Sequence, residues 1–599
     1  MTARYTANSP APRAATVCGV LNLSRSTRCR LNQFVKGGHD MKLAESLFAV
    51  AAAVLVLAPM AHAQKDLTTS GIRFWVERAD AIRMPGTFDA DNYFNSYQLG
   101  MNSFRGFTAN GCHSNSEHGP NCTQAIDGTA VWDVTATDPS SSYHEDVLYG
   151  QLNGTPTTTW AKCGQWLNST ISSGGVLYGF SHGENPASGV NGNCSPSNTH
   201  HKTMTLFTSV DQGLTWNNTS PVLIIDSTDT GSGESGEGDC NIISGTTYAY
   251  LFCRHPTNTT SDPSRFDTTG LARAPLSNLT SFVKYDNGWG SQPGVNGADS
   301  DIPGYLNDGT DAPSYKLGTS ATYWKDKGWV MLLGVSDSNF NGVKLSFTAL
   351  SNLGTNSVQF TTFPYPLMGD DGYYFASNPA HNGYLYPAAL NLLDGTRSFD
   401  LTKKGQFEFV YGFVPHYNTL AQRILAMRSV TVSASGTAQD PQVLVALTTR
   451  LDTNLNQRYS STQPVEYGLD AHHSEPVGSF PQVEVDTVGY LAQFAKPNPV
   501  SQGQSLTKLV ECTSSVPWPD GHPDHMVTTN QCDNTTQWVE DTTAGYSYPS
   551  KPATGNSVQI YRCSSNANGT HWVSTSSTCQ VNGVSLGSAE KSLGWILTK

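Results

Sequence analysis

Apolar positions along this chain recur with a period of two, in short runs, and almost never with the 3.6-residue period of a helix. Runs rich in Val, Ile, Thr, Tyr, Phe and Trp are bounded by clusters of Gly, Asn, Asp and Ser, the pattern of an all-β chain built from hairpins. Four stretches each read as a strand, a polar turn and a second, more aromatic strand. They are Gln165–His182, Asp239–His255, Ser314–Val335 and Tyr384–Phe413. Their starts lie about 70 residues apart, longer than small propeller repeats, so insertions are expected. With the Ile72–Gly154 region supplying one more unit, five blades is the natural count.

Near Pro441 the pattern changes. Leu509–Cys512, His525–Thr529 and Gly545-Tyr546 recur as Ile560–Cys563, His571–Thr575 and Gly594-Trp595. A degenerate first copy runs through Thr449–Leu451, Arg458–Thr462 and Gly489-Tyr490. Three copies of this length with little helix signal predict a pseudo-threefold, β-trefoil-like module over 439–599, after a propeller over 64–438. His525 and His571 read first as packed, hydrogen-bonded histidines, ahead of ligand contacts.

Before the propeller, Met41-Lys42, an apolar run from Leu47 to Pro59 and Ala61-His62-Ala63 read as a signal peptide over 41–63. Residues 1–40 read as a mis-assigned or disordered extension. The run is too short to span a bilayer. Beyond residue 63 the chain carries 28 basic and 46 acidic residues, a formal net charge of −18. That balance argues against nucleic-acid or anionic-membrane partners and suits an exported, monomeric protein. The ten cysteines beyond residue 63 predict disulfides, with sequence-local pairing the simplest arrangement. Without a C-x-x-C, a zinc site is not expected.

Ser209–Trp216 reads S-x-D-x-G-x-T-W. An Asp can accept hydrogen bonds from its own turn, and a Gly two residues later supplies a positive φ. The stretch resembles the Asp-box of sialidase-type β-propellers, which marks a hairpin and takes no part in catalysis. Residues 160–435 resemble exported five-bladed propellers related to endo-arabinanases. The resemblance rests on Trp160–Lys162, Gly175–Tyr178, Ser209–Trp216, Thr269–Pro275, Ser320–Trp324 and Asn341–Leu345. The C-terminal repeats resemble small modules attached to secreted bacterial hydrolases. These resemblances imply a secreted glycosidase acting on a furanose-rich, arabinan-like polysaccharide.

Glycosidic hydrolysis needs a carboxylic acid of raised pKa and a second carboxylate. Candidates are acids at the starts of inner strands, where a propeller gathers side chains around its axis. Glu237 or Asp239, among glycines ahead of a strand, is the expected acid. Asp311, with Asp127, is the expected base or charge modulator. Lys162, His381 and Tyr386 are expected to bind substrate. The bland reading of Glu234–Asp239 is a solvated acidic turn or a structural calcium loop; no cofactor is otherwise expected. Glu184, Arg254 and His255 follow second strands and are discounted, on the premise that such strands end on the opposite rim. The alternatives are a non-catalytic glycan-binding or surface protein and a polysaccharide lyase using Tyr, His and Lys. Gly231–Gly236 fits G-x-G-x-x-G and Gly583–Gly587 fits G-x-S-x-G, but neither leads into a helix.

Overall fold

The computed structural model describes residues 72–81, 91–111, 118–128, 143–151, 163–186, 200–218, 220–228, 235–255, 268–303, 319–335, 342–363, 366–369, 383–400, 405–414, 424–434, 442–452, 457–462, 482–493, 505–515, 524–533, 536–553 and 555–599. The chain separates into Met1–His62 and Ala63–Lys599, and all described residues belong to the second unit. The expected extension and the signal peptide over 41–63 lie outside the described residues, as do Lys162, Asp311 and His381.

Strand β1 (Ile72–Ala81) is followed by β2 (Asn95–Gly100), β3 (Ser103–Gly111), β4 (His118–Gly128) and β5 (Tyr143–Gln151). Next come β6 (Gly164–Ser173), β7 (Val176–Pro186), β8 (His200–Ser209), β9 (Val222–Ile225) and β10 (Ser235–Gly236). From β2 to β10 these strands form one nine-stranded sheet, in which a single parallel bridge, Asn121 to Gly164, joins β4 to β6. A five-stranded sheet holds β11 (Gly238–Ser244), β12 (Tyr248–His255), β13 (Thr268–Pro275), β14 (Val283–Tyr285) and β15 (Trp289–Pro293), in that order. A further sheet contains β16 (Ser320–Trp324), β17 (Trp329–Val335), β18 (Gly342–Ala349), β19 (Thr361–Thr362), β20 (Met368–Gly369) and, after β21 (Gly383–Leu390), β22 (Ser398–Phe399).

The last large sheet runs β21, β23 (Gln406–Val414), β24 (Ile424–Ala434), β1 and β25 (Gln442–Asp452). Each of the four hairpin stretches expected from the sequence falls on an antiparallel pair: β6 with β7, β11 with β12, β16 with β17, β21 with β23. The described chain is therefore all-β with a propeller-like arrangement, its meanders set around an axis lined by β6, β11, β16 and β21, which touch in succession. Strand β2 also packs on β6.

The period-two pattern fills the spaces between sheets. Phe107, Leu167, Leu177 and Trp216 form one apolar cluster. Met204, Ile225, Ile242 and Leu251 belong to a second, Phe252, Leu271, Val330 and Leu332 to a third. Phe74, Phe407 and Val430 join the sheet of β1, β23 and β24 to Met331 and Leu345 of the β16–β20 sheet, and Phe94, Ile126, Leu390 and Leu425 tie β2–β4 to β21–β24. Arg273 of the Thr269–Pro275 stretch is half-buried and sandwiched between Tyr248 (4.6 Å) and Trp289 (4.0 Å), a stacking role.

Beyond Asp452 follow β26 (Gln457–Ser461), β27 (Gln482–Ala492), β28 (Thr507–Ser514), β29 (His525–Thr529), β30 (Trp538–Ser547), β31 (Ser557–Ser565) and β32 (His571–Ser574). A hairpin of β33 (Gln580–Val581) and β34 (Val584–Ser585) precedes β35 (Gly587–Leu597). The three sequence copies share one plan. In each, a first long strand pairs with a short strand and with a closing strand: β25 with β26 and β27, β28 with β29 and β30, β31 with β32 and β35. Each first strand shifts register twice against its closing strand, and each closing strand carries a positive-φ glycine: Gly489, Gly545 and Gly594. Leu447, Leu509, Ile560, Val527 and Val573 share one core. His525 bonds Thr513 at 3.1 Å and His571 bonds Asp524 at 2.6 Å, so both are packed, hydrogen-bonded histidines.

Disulfides link Cys240–Cys253, Cys512–Cys532 and Cys563–Cys579, all local in sequence as expected, and Cys122 and Cys163 are also oxidised. Among the described residues no helix is long and apolar enough to cross a membrane.

Candidate active site

In an antiparallel hairpin the start of the first strand and the end of the second meet at one edge. Gly164 at the start of β6 pairs with Glu184 near the end of β7, and Gly238 at the start of β11 pairs with Arg254 near the end of β12. Glu184, Arg254 and His255 thus share the rim of Glu237 and Asp239, correcting the expectation that they lie on the opposite one.

Residues 235–239 carry the chain from the edge of β8, where Ser235-Gly236 pairs in parallel with His201-Lys202, to the inner strand β11. The crossing is tight. A Cβ on Gly236 would fall 2.0 Å from the Lys202 carbonyl oxygen, and one on Gly238 would fall 2.2 Å from His182 Nδ1. The glycines therefore serve the chain's own close approach to β7 and β8. The Glu237 N–H donates to Lys202 O at 2.8 Å. Asp239 is then forced to φ 51° within a bulge between Gly238 and Asn241.

The Asp239 carboxylate receives Lys202 Nζ at 3.3 Å and Arg254 Nη1 at 3.5 Å. Burial opposes its charge, but Lys202, then His182 and Arg254, hold its carboxyl far below the usual range. His182 Nδ1 accepts the Asp239 N–H at 3.1 Å, which leaves Nε2 to donate to Glu184 Oε1 at 3.2 Å. Glu184 also receives His200 at 2.9 Å. Burial would raise this carboxyl too, yet the His182 and His200 bonds hold it well below its ordinary value.

Glu237 faces a different environment. It is 2% exposed and bonded to Lys284 of β14, whose ammonium also donates to Asp226 O (2.7 Å) and Gly297 O (3.0 Å). Beside it His255 Nδ1 bonds both oxygens of Asp299 at 3.1 Å. Burial, reinforced by the Asp299 charge, pushes the Glu237 carboxyl up to about 7 despite Lys284 and His255. Burial disfavours the His255 cation, but the Asp299 bond outweighs it and raises that imidazole's pKa; the same bond keeps Asp299 low against its own burial.

Glu237, His255 and Asp299 each offer one ligand atom within 4.8 Å of the others. Lys284 already supplies a positive charge there. Glu237 and Asp239 turn to different cations, Lys284 and Lys202.

Among the expected site residues, Glu237 and Asp239 share one rim. Tyr386 is on it as well: it sits at φ 45° in a bulge of β21, its hydroxyl donating to Asp91 at 3.1 Å. Asp127 is not. It lies at the far end of β4, six residues beyond Asn121, bound to Arg105 at 2.6 Å and near His144 at 3.3 Å. Arg105 in turn donates to Gln212 O in the turn that follows β8. That turn, Ser209–Trp216, closes on Asp211, whose carboxylate accepts the Thr215 N–H at 2.9 Å, with Gly213 at φ 87°. Asp127 is thus a structural anchor on the opposite rim, because alternate ends of an eleven-residue strand cannot share one edge.

Inspection of the sequence discounted Glu184, which follows His182, and missed His200, Lys202 and Asp91, the last leading into β2 beside Tyr386. His182 and Glu184 are two apart on one strand face, a readable cue. Lys202 joins them only through pairing of Glu184 with Lys202 across β7 and β8.

Neither protein-family models nor curated proteins match this chain. Solved structures resemble it at low identity. An α-L-arabinofuranosidase from Podospora anserina, in complex with cellotriose, is 9% identical over 61% of this chain and 98% of its own, at a TM-score of 0.34. A β-fructofuranosidase from Bombyx mori is 11% identical over 88% and 93%, at 0.38. An α-L-arabinanase from Cellvibrio cellulosa, complexed with arabinohexaose, is 14% identical over 42% and 72%, at 0.26. At such scores these likenesses carry no activity across; the chemistry rests on the rim.

Proposed function

We propose that this protein is a secreted glycoside hydrolase that cleaves a furanose-rich, arabinan-like polysaccharide at the Asp239 rim of a five-bladed propeller. The observation that carries the reading is a pair of carboxyl groups, two residues apart, driven in opposite directions: Glu237 up to about 7 and Asp239 far down. Such divergence separates an acid from a base or charge stabiliser. Glu237 takes the acid role, and Asp239, ionised by Lys202 and Arg254, is withdrawn from it. Asp91, leading the inner strand β2, takes the place first given to Asp127. Asp311 keeps its proposed base role, with Lys162, His381 and Tyr386 as sugar contacts.

Five blades are supported by reading the nine-stranded sheet as two meanders and β1 as the outer strand of the last. The C-terminal repeats form an accessory module in this reading. Disulfides favour an oxidising, extracellular setting. The sugar identity follows from the sequence resemblance alone.

A non-catalytic glycan-binding reading draws on a different observation: Glu237 is 2% exposed and bonded to Lys284. Reducing-sugar release from an arabinan panel separates the two. Wild type releases sugar, while Glu237→Gln and Asp239→Asn lose about 10²–10⁴-fold. Binding without release by wild type, or full activity in both variants, overturns the hydrolase proposal.

A further inference from the structure

Where β2, β6 and the turn between β21 and β22 meet, the structure leaves a cavity of about 210 Å³. Thr170 and Ser172 line it toward the end of β6, away from Gly164, so it opens on the mouth opposite the Asp239 rim. Its one basic residue, Arg397, is buried and spends its guanidinium on the protein. Nη1 donates to Ser320 Oγ at 2.5 Å, and Nη2 to Phe94 O at 3.2 Å and Asn168 O at 3.1 Å. These bonds tie the turn to β16, to the lead into β2 and to β6. Gly395, at φ 70°, fits the turn against Ser96, where a Cβ would come 2.6 Å from Oγ. The cavity is therefore preformed.

The wall that a ligand can touch mixes apolar surface with uncharged polar groups and one carboxylate. Tyr97 and Thr170 are half-buried, and Gln98 and Ser172 are exposed. Among the described residues the side chains of Gln98, Thr170 and Ser172 have no hydrogen-bond partner. Asp394 is half spent on its own turn. Its Oδ1 accepts the Thr396 N–H at 3.0 Å and hydroxyl at 2.7 Å, while Oδ2 has no partner among the described residues. One free carboxylate oxygen is too few for a divalent cation, and with no cation on offer an acidic ligand is disfavoured. An uncharged polyhydroxylated ring fits these groups. It donates to Asp394 Oδ2, accepts from the Gln98 amide, exchanges hydrogen bonds with Thr170 and Ser172, and lays its apolar face toward Tyr97. The volume falls below the roughly 300–1,000 Å³ of pockets that take drug-sized ligands, which limits the occupant to one ring.

We infer that this cavity is a second carbohydrate site, separate from the Asp239 rim, which takes a single uncharged sugar residue of a polysaccharide. It rests on the arabinan reading only for the choice of sugar used as probe. Gly164 and Ser172 are eight residues apart on one strand, roughly 25 Å, so the two sites bind independently. The second site holds polymer to the protein and takes no part in cleavage.

Methyl α-L-arabinofuranoside, a single neutral ring, is the probe, and the protein is the wild-type full chain. Crystals soaked with it show a ring between Gln98, Thr170 and Ser172. In solution, saturation-transfer NMR titrations detect the same binding. Ser172→Phe, which fills the mouth from an exposed position, abolishes it at this site. Gln98→Ala, also at an exposed position, weakens it about five-fold and keeps the test open should the larger side chain disturb the fold. Galacturonate, a charged counterpart, does not displace the probe. Water alone in the soaked cavity, a ring seen only at crystal concentration, solution binding unchanged in both variants, or displacement by galacturonate each overturns the proposal. Release of sugar from arabinan by wild type with this cavity empty removes the second site and keeps the hydrolase. A ring in the cavity with no release from arabinan does the reverse.

Discussion

Asp239 holds a backbone conformation that ordinarily costs about 1–3 kcal/mol for a residue with a Cβ. Asparagine tolerates the same conformation, so Asp239→Asn removes charge without changing strain. It leaves Lys202 and Arg254 facing a neutral amide, and the expected loss is about 3–5 kcal/mol, read from the denaturant midpoint. Protonation divides the rim into two groups. Asp239 and Glu184 have lowered carboxyls, so their contribution is present above the ordinary values of 3.8 and 4.5 and is lost as pH falls below them. Glu237 is raised from 4.5 to about 7, so its contribution is complete below 4.5 and is lost as pH climbs toward 7. His255, raised from 6.5, extends that loss to higher pH. Thermal midpoints across pH 4.5–8 therefore decline in wild type and decline less in Glu237→Gln; an unchanged slope removes the assignment.

Elements were legible where alternation and turn chemistry agreed. Gln165–His182 and Asp239–His255 each combine an alternating strand with a Gly- or Thr-containing turn, and each folds as the expected hairpin. Bulges were not legible. The register shift between Gly238 and Asn241 arises because the chain must cross β8 before entering β11, and nothing local encodes that crossing. The Cys240–Cys253 bridge clamps this bulged end, with its Cα atoms 4.0 Å apart. Replacing both cysteines by alanine is expected to cost about 2–4 kcal/mol, and to reduce any rim activity more than the same change at Cys563–Cys579. Urea midpoints paired with activity measure both.

At the scale of the molecule, β1 closes the arrangement. It pairs antiparallel with β24 and parallel with β25, so the first described strand and the C-terminal repeats share one sheet. Trp75 of β1 packs in a cluster with Leu444, Tyr490, Tyr548 and Leu597 and meets Tyr490 edge to face at 4.9 Å. The Tyr490 hydroxyl donates to Glu77 at 2.7 Å. A chain ended at residue 440 loses every partner of Trp75 in that cluster and uncovers the edge of β1. Such a truncation is expected to aggregate, or to unfold several degrees lower than the full chain; a monomeric fragment of unchanged midpoint would show the halves to be independent.

The strands, the sequence-local disulfides, the recurring pattern beyond Pro441 and the acidic lead into β11 can be read from the chain alone. These depend on neighbours a few residues apart, through alternation, turn geometry and loop length. Which side chains meet is set by folding in three dimensions. Asp127 went to the far rim and Glu184 and Arg254 to the near one because antiparallel pairing sets which strand ends coincide. The opposite shifts of Glu237 and Asp239 arise from Lys284, Asp299, Lys202 and His182, brought in from other strands. Burial and Coulomb interactions act through space, and no spacing along the chain records them.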